Sequence, residues 1–512
     1  MNTIKIGKNT IQIKEEWKFG FFSVWIFGLL AHAYRFFNLL PTWDSMYNFK
    51  GTGGTFHLGR CFLEFFGSLP SKYDMPWVNG ALSLLYISVV VVLLTDLFKI
   101  KGHLSAALLG GLIVTFPTVT STFAYMFTAD AYMIAFLLSV LGVYLTYKWK
   151  YGIWPGMVCI CLSIGTYQAY ISVALVLVVM IVIQDLLLEK KTFREMFFSD
   201  VKYMVLMLGG AGGYKVASTI INWHYEVILS DYQGIGRIGI LTLPQYKAAL
   251  FKIIRALDEL WCISAARLGG GGYTGGHYGY ANILIIFFVI GTTTFLIVKN
   301  KTYQNIPGVI ATFLAVGALP IAAFAFAFVS TGVLCHTLMM MAVCLIYVLL
   351  LLYMERGKWK KRVEKFYRAI VILVLIYLVC YNTINANRAY LNMTISYEKS
   401  YGVCADLLGR MGGLEGYPIT TRVAIMGNYH AISADINALH PYIIGAEQDV
   451  FLKGDGHYVA MWNYYFGRGF DTATEEEKNV ILGTEEYKRM AVYPAKGSVK
   501  IINDIIVIKF EG

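Results

Sequence analysis

The sequence predicts a mostly α, polytopic membrane protein with about eleven transmembrane helices and a small C-terminal extracytoplasmic α/β domain. Three observations carry this. Of 512 residues, 57% are hydrophobic and 15% charged, with a mean hydropathy of +0.57, which excludes an ordinary soluble enzyme. The apolar residues gather in runs of about membrane-spanning length. The basic residues gather in short runs between them, so the net charge of +11 reads as loops on the cytoplasmic side rather than a nucleic-acid surface.

Taken in order, spans are expected at 18–40, 78–98, 102–118, 123–147, 152–165, 168–188, 201–221, 281–299, 306–328, 332–354 and 366–385. The basic start, MNTIKIGKNTIQIKEEWK, reads as a cytoplasmic lead into a retained helix. The apolar block 152–188 is too long for one ordinary helix. Breaking it at Gly165–Gln168 returns the run EKKTFRE to the cytoplasm. With that break, Lys99 and Lys101, Lys148 and Lys150, Lys190 to Arg194, Lys299 and Lys301, and ERGKWKKRVEK at 355–365 all share one side. The membrane domain is then 1–385, with external loops at 41–77 and 222–280, and 386–512 is a soluble external domain. Within the latter, 396–410 suits a helix and TRVAIMG at 421–427 a buried strand. SVKIINDIIVIKF at 498–510 suits a hairpin turning at Asn503 and Asp504.

Ionisable residues cluster where the first span meets its loop, PTWDSMYNFKGTGGTFHLGRCFLE at 41–64. Asp44 suits a general base acting on a hydroxyl, flanked by Trp43 and Tyr47, whose faces suit a saccharide ring; a loop or helix-cap aspartate is the competing reading. Arg35 and Arg60 suit a lipid-linked phosphate through charge-assisted bonds, with snorkelling to headgroups the alternative for Arg35. Lys72, Lys215 and Arg388 are further candidates for the phosphate. Asp130, inside a span, is expected to face a cavity, because a carboxylate in lipid is costly. Glu64, His57, His32 and Gln168 are candidates to line the same cavity. The eight cysteines show no metal or disulfide spacing, and GGGGYTGGHYGY at 269–280 lacks the Lys-Ser/Thr ending of a phosphate-binding loop. No metal or cofactor is expected.

The order of WDSM, FHLGRCF, FTADAYMIAF, LSIGTYQAYIS and the terminal MAVYPAKGSVKIINDIIVIKF resembles the bacterial type II glucosyltransferases, serotype-converting enzymes that modify O-antigens and other surface glycans. The resemblance implies a GT-C-like glycosyltransferase of the bacterial inner membrane, N-terminus cytoplasmic and C-terminal domain outside. Its donor would be a polyprenyl-phosphate sugar, and its acceptor a hydroxyl of a cell-surface glycan. It also implies an essential acid in the first external loop, matched by Asp44, and an arginine in a Gly-Arg pair, matched by Arg60. Relatives often carry two adjacent aspartates where this chain has Asp44 and Ser45, which turns attention to Asp130 or Glu64 for the second carboxylate. A transporter or flippase of a lipid-linked sugar, and a non-catalytic scaffold, are the alternatives.

Overall fold

The structure, a computed structural model, describes residues 3–6, 9–48, 55–69, 74–237, 242–263, 276–329, 332–357, 359–417, 421–429, 443–446 and 449–511. Two compact units form. The first comprises Met1–Leu39, Thr52–Arg388 and Ala438–Ile444; the second comprises Leu40–Gly51, Ala389–Asn437 and Gly445–Gly512.

The first unit opens with an antiparallel hairpin, β1 (Thr3–Ile6) and β2 (Asn9–Gln12), within the stretch expected to be only a basic lead. Helix α1 (Glu15–Phe37) follows, then α2 (Trp43–Tyr47), which belongs to the second unit, and α3 (Leu63–Gly67). The bundle continues with α4 (Pro76–Leu97), α5 (His103–Thr115), α6 (Pro117–Ala124), α7 (Ala129–Lys148), α8 (Ile153–Thr166) and α9 (Ile171–Ile183). It closes with α10 (Phe193–His224), α11 (Leu243–Trp261), α12 (Gly276–Lys299), α13 (Ile306–Ala323), α14 (Met341–Arg356) and α15 (Lys361–Gly412).

Among the described residues, eight helices are long and apolar enough to cross a membrane, or nine if α5 and α6, bent by 41° at Phe116–Pro117, make one span. The expected eleven are not reached. Proline at the start of α6 cannot donate to the preceding turn and breaks the third segment. Helices α8 and α14, of 14 and 16 residues, reach only about 21 and 24 Å at 1.5 Å per residue, short of a hydrocarbon core of about 30 Å. The break at Gly165–Gln168 is present. Tyr167 is extended between α8 and a 3₁₀ turn at Gln168–Tyr170. The separate helix expected at 396–410 is instead the end of α15, 52 residues long.

The basic loops do gather at one end of the first unit. Asp96 takes Lys14 at 2.7 Å, Lys148 at 2.6 Å and the Tyr144 hydroxyl at 2.9 Å. Glu189 takes Arg356 at 2.6 Å and Lys99 at 3.2 Å, and its carboxyl is held below the usual carboxylate range first by the bond from Arg356. Glu355 accepts from the amides of Lys101 and Gly102 and from Ser105 Oγ, while Lys299 donates to the Gly357 carbonyl at 2.7 Å. Helix α1 packs on α4 and α5, and α7 on α4 and α8. Where α1 and α5 touch, a Cβ on Gly110 would lie 2.1 Å from Ser23 Oγ and 2.9 Å from the Gly20 carbonyl, so only glycine permits the approach.

In the second unit, β3 (Arg422–Met426), β4 (Asp471–Thr472), β5 (Val499–Ile502) and β6 (Ile505–Lys509) form one mixed sheet in the order β4-β3-β6-β5. Both faces are covered. Val423, Ile425, Ile506 and Ile508 pack with Leu407, Met411 and Trp462 of α15 and α16 (Asp455–Tyr465), while Ala424, Met426, Ile505 and Val507 pack with Ile481 of α17 (Glu475–Leu482) and with Met490. The strand and hairpin stand where the sequence places them. Asn503 and Asp504 both take positive φ, 50° and 58°, as a tight two-residue hairpin turn requires.

Introducing Val at Gly110 is expected to cost roughly 1–3 kcal/mol through overpacking, read as a lower melting temperature in detergent. Gly291→Val, where an added Cβ meets nothing within 4 Å, is expected to leave it nearly unchanged.

Candidate functional site

Helix α2 carries Trp43, Asp44 and Tyr47, and its N-terminus is built by a local exchange. The Thr42 amide donates to Ser45 Oγ at 3.1 Å, satisfying a donor that the helix start would otherwise leave bare. Ser45 is therefore buried in a capping role, and Met46 beside it enters the core of the second unit. Asp44 points to the exposed side, and its main-chain carbonyl accepts from Asn48 Nδ2 at 2.8 Å. Trp43 lies under the Lys453 ammonium, 4.0 Å from the ring centre. The Tyr47 ring lies 4.6 Å from that of His457, and its phenol is pushed up by burial and then by the charge of Asp455. Pro41, Trp43, Ser396, Tyr429, Asp449 and Lys453 line a cavity of about 290 Å³ within this unit.

His457 is held by its backbone surroundings. Its Nδ1 accepts from the Lys453 amide at 2.8 Å, which requires a neutral ring protonated on Nε2. Burial lowers its pKa to about 4.

The first unit gathers a different group. Arg35 is fully buried, with Nε donating to the Phe123 carbonyl at 2.9 Å and Nη1 to the Asn38 carbonyl at 2.8 Å, so it does not snorkel. Asp74 faces its charge. Burial raises the Asp74 carboxyl while Arg35 pulls it back, and Oδ1 is shielded without a hydrogen-bond partner among the described residues. Asn79, also buried, donates to the Met126 carbonyl at 2.9 Å. Asp130 lies in the first turn of α7, wholly buried, with neither carboxylate oxygen bonded among the described residues; the positive end of the helix favours a carboxylate there. Asp74 and Asn79 were not legible as candidates from sequence. Their signal is position: both flank Pro76, which starts a span.

Arg60 follows Gly59, whose φ of 66° turns the chain out of a 3₁₀ turn. The segment is tied to the break between α8 and α9 by two bonds, Gln168 Nε2 to the Leu58 carbonyl and the Phe62 amide to the Gly165 carbonyl, and to α10 by a third, Tyr214 Oη to the Gly59 carbonyl, each at 2.9 Å. The guanidinium rests 5.4 Å from the Tyr167 ring and 5.9 Å from the Tyr132 ring, which stack on each other at 4.1 Å. No carboxylate pairs with Arg60 among the described residues. The arrangement leaves a cation braced by aromatic faces, the kind of group that meets an anionic ligand.

The remaining candidates scatter. His32 is fully buried and bonds through Nε2 to the Val114 carbonyl at 2.8 Å, so it is packed between helices rather than lining a cavity. His57 is exposed, Glu64 half-buried, and Lys215 exposed on α10. Arg388 is half-buried on α15, and Lys72 lies outside the described residues. Among the described residues, no three His, Cys, Asp or Glu side chains are grouped to hold a metal ion.

Residues 33–337, about three fifths of the chain, match the family described as Glucosyl transferase GtrII. No curated protein and no solved structure matches.

Because the folded state holds His457 neutral, stability is fully present above about pH 6.5 and is lost as pH falls toward about 4. Hydrogen exchange of α16 is expected to quicken across that window, and His457→Gln to flatten the dependence.

Proposed function

The chain belongs to the Glucosyl transferase GtrII family, and from that membership we propose that it transfers a sugar, glucose by the family's description, from a polyprenyl-phosphate donor to a hydroxyl of a cell-surface glycan. The reaction would occur at the outer face of a bacterial inner membrane, on a GT-C-like scaffold with the N-terminus inside and the second unit outside. The observation that carries the reading is Asp44. Within the matched region it is an exposed carboxylate on a short capped helix, beside an indole that lines a cavity of saccharide size.

In this reading Asp44 takes the proton of the acceptor hydroxyl as that oxygen attacks the anomeric carbon. The bond from the anomeric carbon to the phosphate oxygen breaks, and its electron pair leaves with the polyprenyl phosphate. Arg60 is the donor-phosphate residue best suited by its surroundings, because among the described residues no carboxylate pairs with it. Arg35 already donates to two main-chain carbonyls and is assigned to positioning. Trp43 and Tyr47 are assigned to the saccharide. Asp130 is reserved as a second acid. The donor bond supplies the driving force, so neither ATP nor an ion gradient enters.

Purified protein in lipid nanodiscs, given a panel of polyprenyl-phosphate sugars and native envelope glycans and read by mass spectrometry, is expected to transfer one sugar. Asp44→Asn is expected to lower kcat by roughly 10²–10⁴-fold without changing melting temperature or donor binding. Arg60→Gln is expected chiefly to raise KM for the donor. Undiminished transfer by Asp44→Asn removes the general-base assignment, and donor flipping without transfer supports the transporter instead.

A further inference from the structure

The segment that carries Arg60 has a further anchor, on the chain that leaves α10. The Ser230 amide donates to the His57 carbonyl at 2.8 Å, and the Tyr225 ring stacks on Phe56 at 5.2 Å. The next residues turn sharply. Gln233 takes a φ of 52°, in the left-handed region that a side chain seldom adopts. A Cβ on Gly332 would lie 2.8 Å from the Gly234 nitrogen, so another stretch of chain backs this turn. Tyr232, between the anchor and the turn, is thereby brought within electrostatic reach of both the Arg60 guanidinium and the Tyr167 phenol, yet it stays 54% exposed. Its oxygen accepts from Gln233 Nε2 at 3.2 Å, which leaves the hydroxyl hydrogen to donate, and among the described residues no acceptor takes it.

Arg60, half-buried and paired with no carboxylate among the described residues, is the other unspent donor here. A guanidinium and an uncommitted phenol that converge from two separate segments suit an anion rich in oxygen. We infer that Tyr232 is a second ligand of the donor phosphate, donating its hydroxyl to a phosphoryl oxygen while Arg60 pairs with the same group, and that Gln233 is its positioning residue. The assignment rests on the donor class proposed above. When the bond from the anomeric carbon to the phosphate oxygen breaks, the departing phosphate gains one negative charge. No proton leaves Tyr232; its hydrogen bond strengthens as that charge appears, so it contributes to the chemical step as well as to binding.

The test uses full-length protein in nanodiscs, with polyprenyl phosphate and the uncharged polyprenol as probes and binding read by native mass spectrometry. Tyr232→Phe, which removes only an exposed hydroxyl, is expected to weaken polyprenyl phosphate roughly tenfold and to leave polyprenol binding and the melting temperature unchanged. Its kcat for sugar transfer is expected to fall by at least as much. In an Arg60→Gln background the same substitution is expected to cost less than about threefold, because the two residues share one ligand. Unchanged polyprenyl phosphate binding by Tyr232→Phe overturns the assignment. So does an equal loss for polyprenol, which marks a structural effect, or full additivity with Arg60→Gln. Displacement by equimolar phosphatidic acid marks a general headgroup site and overturns it too. Phosphate-dependent binding with these losses but no transfer by the wild type keeps Tyr232 as a ligand and removes the transferase reading; transfer and binding both undiminished in Tyr232→Phe do the reverse.

Discussion

A main-chain carbonyl freed by a broken helix inside an apolar medium must find a donor, because no water is there to supply one. The first unit breaks its helices at Phe116–Pro117 and again at Thr166–Gln168. The donors that answer the first break are side chains costly to place in a membrane for any other purpose. His32 serves the Val114 carbonyl ahead of Pro117, and where α6 ends Arg35 serves Phe123 and Asn79 serves Met126. At the second, the exchange runs outward: Gln168 and the Gly165 carbonyl hold the segment that carries Arg60. At His32, Arg35, Asn79 and Gln168, polar side chains and interrupted helices therefore explain each other.

Much of this was legible in sequence, and the reason is periodicity and punctuation. Apolar runs mark the long helices, the Gly165–Gln168 interruption marks a real break, and Asn503-Asp504 between apolar alternations marks a real hairpin. The count of spans was not, because hydropathy cannot tell a helix of 14 residues from one that crosses, nor see that Pro117 bends rather than ends a segment. The soluble domain's first helix was misread for a related reason. Polar composition after Tyr381 suggested a new element, yet nothing in it stops a helix, and α15 continues.

The site divides in the same way. That Asp44, Arg60 and Asp130 are candidates could be read from their type and place. What each does locally could not. Ser45, which the family resemblance made look like a missing carboxylate, is a helix cap whose hydroxyl serves the Thr42 amide. Gln168 and His32, expected to line a cavity, bond to main-chain carbonyls. Asp74 escaped notice because its meaning lies in the field of Arg35, far away along the chain. Sequence shows where polar groups are dear, but only packing shows which of them are already spent.

Met46 lies in the hydrophobic core of the second unit, although it is encoded between the first two membrane helices. The C-terminal unit is thus closed by a piece of chain synthesised long before the rest of it. During biosynthesis that early segment must wait, unpacked, until the last strands are made. A fragment cut at the apparent boundary near residue 386 is correspondingly not a self-sufficient module: it lacks a part of its own interior, and covalent order along the polypeptide is no guide to where this unit begins.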